Sequence, residues 1–200
     1  MPLGYRPPPR RIIVLGLGIL AIAVTAFVYL ASPPETPPLE AIHAKIAKEH
    51  PNIAHITADD LTDGRLAKSD IVMFDVREPG EFAVSHLRGA TQVDPNLSAA
   101  AFLDRYGDKL AGKTVVFYCS VGVRSSKFAE RVRSALAEQA SAGAGEPTRI
   151  ANLTKGVFGW RNDGRLLSRG TEATDKVHPY DAYWGRLIRD PSAVAYTPKP

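Results

Sequence analysis

Val115-Val116-Phe117-Tyr118-Cys119-Ser120-Val121-Gly122-Val123-Arg124-Ser125-Ser126 is the stretch on which the reading of the whole chain turns. Val115 to Tyr118 are β-branched or aromatic, which predicts a short buried strand. That strand delivers Cys119, the single cysteine among 200 residues, to its carboxyl end. A loop centred on Gly122 follows, and a glycine there lets the backbone curl with its amides inward. Ser125 or Ser126 is the expected cap of a helix whose apolar face runs Phe128, Val132, Leu136. Strand end, thiol, loop amides and helix start make a cradle for an anion, and the helix dipole with Arg124 favours the reactive thiolate. A plainer reading stands beside this one, because a lone cysteine closing a buried strand also serves as a small core hydrophobe.

Outward from that stretch, the chain alternates short apolar runs with helical periodicity. Ile71 to Val76 reads as a second buried strand, with Asp75 and Arg77 at its carboxyl end. In a parallel sheet that end lines the ligand crevice, although a local ion pair is an equally good use of the two charges. Ile53 to Ile56, Ala90 to Val93 and Arg149 to Leu153 are further strand candidates. Leu39, Ile42 and Ile46 mark a helix ending near His50-Pro51, Thr57 caps a short turn of helix, Leu97 to Tyr106 is a surface helix, and Gly156 to Trp160 starts another. Ser141 to Pro147 reads as a mobile loop. The alternation predicts an α/β domain with a mostly parallel central sheet flanked by helices. His43, His50 and His55 lack the i, i+4 spacing of a helical metal pair and read as surface or packing residues, with no metal site expected.

Three stretches carry a resemblance. Cys119-Ser120-Val121-Gly122-Val123-Arg124-Ser125 resembles the active-site loop of a rhodanese domain. Phe74-Asp75-Val76-Arg77-Glu78-Pro79-Gly80-Glu81-Phe82, followed by Ser85-His86-Leu87-Arg88-Gly89-Ala90, is similar to that family's upstream signature. Leu153-Thr154-Lys155-Gly156-Val157-Phe158-Gly159-Trp160 is similar to its late Leu-x-Gly-Gly-x-x-x-Trp. The matches fall in the family's order across roughly residues 53 to 167. Ser85 stands where the family usually has Gly, and Lys155 where the first glycine of the late pair is usual, so that turn is expected to differ slightly. The resemblance implies a three-layer fold and a sulfurtransferase. Cys119 would carry sulfur as a persulfide. Ser120, Val121, Gly122, Val123 and Arg124 would hold a small anionic donor such as thiosulfate, and Asp75, Arg77, Glu81, His86 and Ser125 would support the loop. It implies a thiol or protein acceptor and neither metal nor organic cofactor.

Two other function classes compete. Cys-based phosphatases and arsenate reductases resemble one another in a loop with five residues between Cys and Arg, whereas four separate Cys119 from Arg124 here. Tyr118 also stands where such enzymes place a His. A non-catalytic binding module is the other reading, and the presence of both Cys119 and Arg124 argues against it.

The ends of the chain read differently from its middle. The net charge is +4, of which Arg6, Arg10 and Arg11 supply +3 and Glu35 −1, leaving +2 for residues 39–200. That is no nucleic-acid footprint. Residues 12–31 run for twenty residues without a charge, long enough to cross a hydrocarbon core of about 30 Å. With arginines before it, this segment predicts a signal anchor: residues 1–11 inside, the domain extracytoplasmic or periplasmic, and the membrane as a partner. Residues 32–38 form a proline-rich linker, residues 39–167 the rhodanese-like domain, and residues 168–200 an extension. In that extension the cluster of Tyr180, Tyr183 and Trp184 reads as packing on the domain, the commoner use, or as an exposed recognition patch, and the final residues are expected to be disordered.

Overall fold

The computed structural model describes residues 36–64, 66, 70–141 and 148–198. The five strand candidates all form, as β1 (Ala54–Ile56), β2 (Ile71–Asp75), β3 (Thr91–Gln92), β4 (Thr114–Tyr118) and β5 (Arg149–Leu153). They pair in the order β1-β5-β4-β2-β3, and every pairing is parallel. Parallel neighbours need crossover connections, and the helices supply them. These are α1 (Leu39–Glu49), α2 (Ala58–Thr62), α3 (Pro79–Val84), α4 (Ala99–Tyr106), α5 (Val123–Ser141) and α6 (Gly156–Asn162). Thr57 caps α2 as its sequence predicts: its hydroxyl accepts from the Asp60 amide while the Asp60 carboxylate accepts from the Thr57 amide.

The central strand sorts its side chains by the two-residue period of a β-strand. Val115, Phe117 and Cys119 face one layer, where they join Phe74 of β2, Phe102 of α4, and Phe128 and Val132 of α5. The Phe74 and Phe102 rings meet edge to face at 4.9 Å, and Phe102 meets Phe128 in the same way at 5.4 Å. Val116 and Tyr118 face the other layer, against Leu39, Ile42 and Ile46 of α1 and Val157 and Phe158 of α6. The three-layer α/β arrangement follows from this sorting, with both faces of the sheet covered.

One expectation is corrected. Helix α5 starts at Val123, ahead of both serines expected to cap it; their hydroxyls are used across the fold instead. The extension is drawn into the core as far as Ala193, whereas Tyr196, Thr197 and Pro198 are exposed. After α6, β6 (Leu167–Arg169) and β7 (Glu172–Thr174) form a hairpin, followed by the short helix α7 (Ala182–Gly185). His86 and Ser168 exchange backbone hydrogen bonds of 2.8 Å in both directions. Val177 donates to the Ala193 carbonyl at 2.8 Å and accepts from the Ala195 amide. Leu167, Val177, Ile188 and Ala193 are all buried in the cluster under α1 and α6.

Pro38 has the polyproline-type backbone expected of the linker, at φ −62 and ψ 154. The rest of the linker through residue 35, the basic N-terminus, the segment Ile12 to Ala31 and the loop at 142–147 lie outside the described residues. Among the described residues, no helix is long and apolar enough to cross a membrane.

Because Ile188 is 4 % exposed and packs into the main cluster, Ile188→Ala is expected to cost roughly 2 to 4 kcal/mol. Urea denaturation checks this. An unchanged midpoint would show that the tail contributes nothing to the core.

Candidate active site

The loop after β4 is held from three directions, and each begins in a different part of the sequence. The first is backbone. The amides of Val157 and Phe158, at the start of α6, donate to the carbonyls of Cys119 and Ser120 at 2.9 and 3.0 Å. This requires α6 to come very close. A Cβ on Gly156, which sits at φ +57, would lie 2.3 Å from the Cys119 carbonyl oxygen, so only glycine fits. Its neighbour Lys155 takes the left-handed conformation, φ 62 and ψ 4. Its ammonium pairs with Glu40 at 2.9 Å.

The second hold is polar and lies beneath the loop. Ser126 donates its hydroxyl to the Gly122 carbonyl at 2.6 Å, and the Ser126 amide donates to the same oxygen at 3.1 Å. Ser125 donates to Asn152 Oδ1 at 2.6 Å, and Asn152 Nδ2 reaches the Gly122 carbonyl at 3.4 Å. Gly122 itself is at φ +101. Asn152 is a site residue that sequence reading missed. Its one signal was an amide side chain inside an otherwise apolar strand, where a buried polar group must find partners.

The third hold is electrostatic. Glu81 on α3 is 3 % exposed and uses both carboxylate oxygens twice. Oε1 accepts from Ser120 Oγ at 3.0 Å and Arg124 Nη2 at 2.9 Å; Oε2 accepts from Arg124 Nη1 at 2.7 Å and the Glu78 amide at 3.1 Å. Burial alone would raise the Glu81 pKa, but the hydrogen bonds and charge of Arg124, with help from Arg77, bring it below the ordinary value of 4.5. Burial likewise opposes the charge on Arg124, and Glu81 together with the Cys119 sulfur more than offsets it, so the guanidinium stays protonated.

The remaining predicted residues act at one remove. Arg77 is fully buried and forks onto Asp75, with Nε–Oδ1 at 2.9 Å and Nη2–Oδ2 at 2.6 Å, while Nη2 also donates to the Ser85 carbonyl at 2.6 Å. This pair fixes the turn that presents Glu81 and does not touch the loop. His86 is a strut: it hydrogen-bonds the Phe82 carbonyl through Nδ1 at 3.1 Å and stacks on the Phe82 ring. Its backbone pairs with β6, away from Cys119.

Cys119 answers to both readings made of it. It is 1 % exposed and packs in the core layer with Phe117. Its sulfur also accepts the Gly122 amide at 3.2 Å and forms the floor of a pocket of about 160 Å³. Ser120, Val121, Val123 and Arg124 line that pocket on one side, and Tyr180 and Trp184 on the other. Of the aromatic tail cluster, Tyr180 and Trp184 thus line the pocket that holds Cys119. The Arg124 guanidinium lies 5.0 Å from the centre of the Tyr180 ring, and Tyr180 holds a left-handed φ of 69 while its amide donates to His178 Nδ1.

The profile of the Rhodanese-like domain family matches residues 57–163. A tRNA uridine(34) hydroxylase from Listeria welshimeri is 33% identical over 78 residues, which is 38% of this chain and 24% of that protein. The chain thus spans about a quarter of the length of the curated relative it matches. A thiosulfate sulfurtransferase structure from Pseudomonas aeruginosa aligns with a TM-score of 0.43 at 22% identity, covering 67% of this chain and 23% of that one. A protein from Rhodopseudomonas palustris, described as a possible tyrosine phosphatase, aligns with a TM-score of 0.44 at 21% identity, covering 68% and 98%. At these scores neither structure bears on the activity of this chain.

Arg124→Ala would leave the Glu81 carboxylate enclosed without its counter-ion. The expected loss at neutral pH is roughly 2 to 3 kcal/mol, below the 3 to 5 kcal/mol or so of a fully enclosed pair, because the Arg124 side chain is 27% exposed. Since the folded-state pKa of Glu81 lies below 4.5, the pair stabilises fully above that value and its contribution is lost as pH falls through the depressed one. Urea midpoints of the two proteins should therefore converge in acid; a gap independent of pH would refute the pairing as its source.

Proposed function

Given that the chain belongs to the rhodanese-like family, we propose that it is a sulfurtransferase working through a persulfide on Cys119. The observation that carries this reading is the loop itself: four residues between Cys119 and Arg124, with the Gly122 amide directed at the sulfur and a pocket above it. The Cys119 thiolate attacks the outer sulfur of a sulfane donor, for which thiosulfate serves as the simplest anionic case. An Sγ–S bond forms, the donor's S–S bond breaks, and sulfite departs with the bonding pair. The leading amides of α5 have no intrahelical acceptors and face this charge with the positive end of the helix dipole. An acceptor thiolate then attacks the terminal sulfur of the persulfide and returns the Cys119 thiolate. Arg124 acts differently from its expected role of gripping the donor, because both of its Nη groups are engaged by Glu81. It closes the loop and positions Ser120, whose hydroxyl it also meets at 3.1 Å.

One observation favours a second reading. Cys119 is almost wholly enclosed, which is also what a retired nucleophile in a docking module would show. Thiosulfate-dependent thiocyanate formation by the full chain separates the two. Activity is expected in the unmutated protein and none above the uncatalysed rate in Cys119→Ser, with the fold retained and no phosphatase activity in either. Turnover near the unmutated level in Cys119→Ser would end the persulfide mechanism, and inactivity of both proteins would favour the docking module.

The proposal extends to location. Twenty uncharged residues, 12–31, after Arg10 and Arg11 support a retained anchor with the domain on the extracytoplasmic side. The full chain is then expected to stay with membranes through alkaline carbonate washing and to be digested by protease added from the outer face. Release into the wash would count against an anchor.

A further inference from the structure

The charges at the loop and behind it cancel in pairs. Arg77 is spent on Asp75, and Arg124 on Glu81. Arg124 is the cation among the described residues lining the pocket, and its buried partner neutralises it. What faces an incoming donor is a set of backbone amides, which suit a single negative charge, and an otherwise apolar enclosure. Val121 and Val123 come from the loop. Tyr180 and Trp184 come from the tail and line the same pocket as Cys119. Trp184 is fixed in place: its amide is capped by Asp181 at 2.9 Å, and its ring meets Tyr183 edge to face at 5.3 Å. Tyr180 is held by the Arg124 guanidinium across its face and by a backbone conformation that few tyrosines adopt.

We propose that this pocket selects sulfane-sulfur donors carrying one negative charge and an apolar or aromatic body, in preference to the small dianion thiosulfate, with Tyr180 and Trp184 as the residues that recognise the body. This rests on the sulfur-transfer reading. A dianion would lose water on both charges and meet no uncompensated cation in return. A monoanion with a ring presents one charge to the amides and stacks its body on the aromatic wall. For an aromatic thiosulfonate the step balances. The Cys119 thiolate attacks the terminal sulfur, an Sγ–S bond forms, the S–S bond to the sulfonyl group breaks, and the arylsulfinate leaves with the electron pair. The persulfide passes its sulfur to the acceptor as before.

The test compares benzenethiosulfonate with thiosulfate in the full chain, with cyanide as acceptor and thiocyanate as the readout. The kcat/KM for benzenethiosulfonate is expected to exceed that for thiosulfate by about tenfold or more. Trp184→Ala should bring the ratio toward one and Trp184→Phe should keep most of it. Tyr180→Gly, at a half-exposed position whose backbone glycine favours, should also lower the ratio without endangering the fold. A ratio at or below one in the unmutated protein, or a ratio untouched by both Trp184→Ala and Tyr180→Gly, overturns the proposal and leaves sulfur transfer standing. If neither donor adds sulfur to Cys119 by intact mass, the sulfur-transfer reading falls, and this proposal with it.

Discussion

A carboxylate taken out of water must be surrounded by donors, and Glu81 is where this chain meets that requirement. An unpaired ionised group so enclosed would cost several kcal/mol. Its four acceptor positions therefore dictate what stands around it: the Arg124 fork, the Ser120 hydroxyl and the Glu78 amide. Two of these partners are on the loop that carries Cys119, so satisfying the carboxylate also sets the loop's shape. Asp75 and Arg77 extend the same logic backward, since their buried pair anchors the turn from which α3 starts. The polar interior of this domain is a chain of obligations, each charge fixing the position of the next.

Backbone contacts finish what the charges begin. A strand end has unpaired carbonyls, and those of Cys119 and Ser120 are taken by the first amides of α6. Gly156 makes that approach possible by having no side chain to collide with the Cys119 carbonyl. Lys155 accepts a strained backbone of the kind that costs on the order of 1 kcal/mol or more for a residue with a Cβ, and its ion pair with Glu40 ties the turn to α1. Thus the loop rests on both layers of the fold, α3 and α5 on one hand and α6 on the other.

Much of this was legible from residues alone, and the boundary has a physical cause. Local signals worked. Short apolar runs placed all five parallel strands, Thr57 announced a cap, and Cys119 with Gly122 and Arg124 marked the loop. Contacts made by tertiary approach were not legible. Ser125 and Ser126 looked like helix caps because a hydroxyl near a helix start usually finds an amide, yet here Asn152 and the Gly122 carbonyl outbid that local partner. Asn152 carried no pattern of its own. Tyr180 and Trp184 lie more than fifty residues beyond Cys119, in a stretch without periodicity, and no short-range rule connects them to it. Lys155 stands where the family usually has a glycine and still keeps a glycine-like turn, because the surrounding contacts determine the backbone more strongly than the residue's own preference.

The return of the tail to the core has a consequence for how the molecule comes into being. β1 pairs with β5 across about a hundred residues, His86 pairs with Ser168, and Val177 with Val194 near the chain's end. Contacts so distant in sequence require large loops to close before they are rewarded, which slows folding. A chain emerging in order from a ribosome leaves β1 unpaired until β5 is made, and its α1-side cluster uncovered until Ile188 and Ala193 follow. Cys119 is synthesised early but acquires its aromatic wall last. The pocket over Cys119 is thus walled only once Tyr180 and Trp184 have been made, and a product truncated before them would display an unfinished apolar face to the machinery that clears misfolded protein.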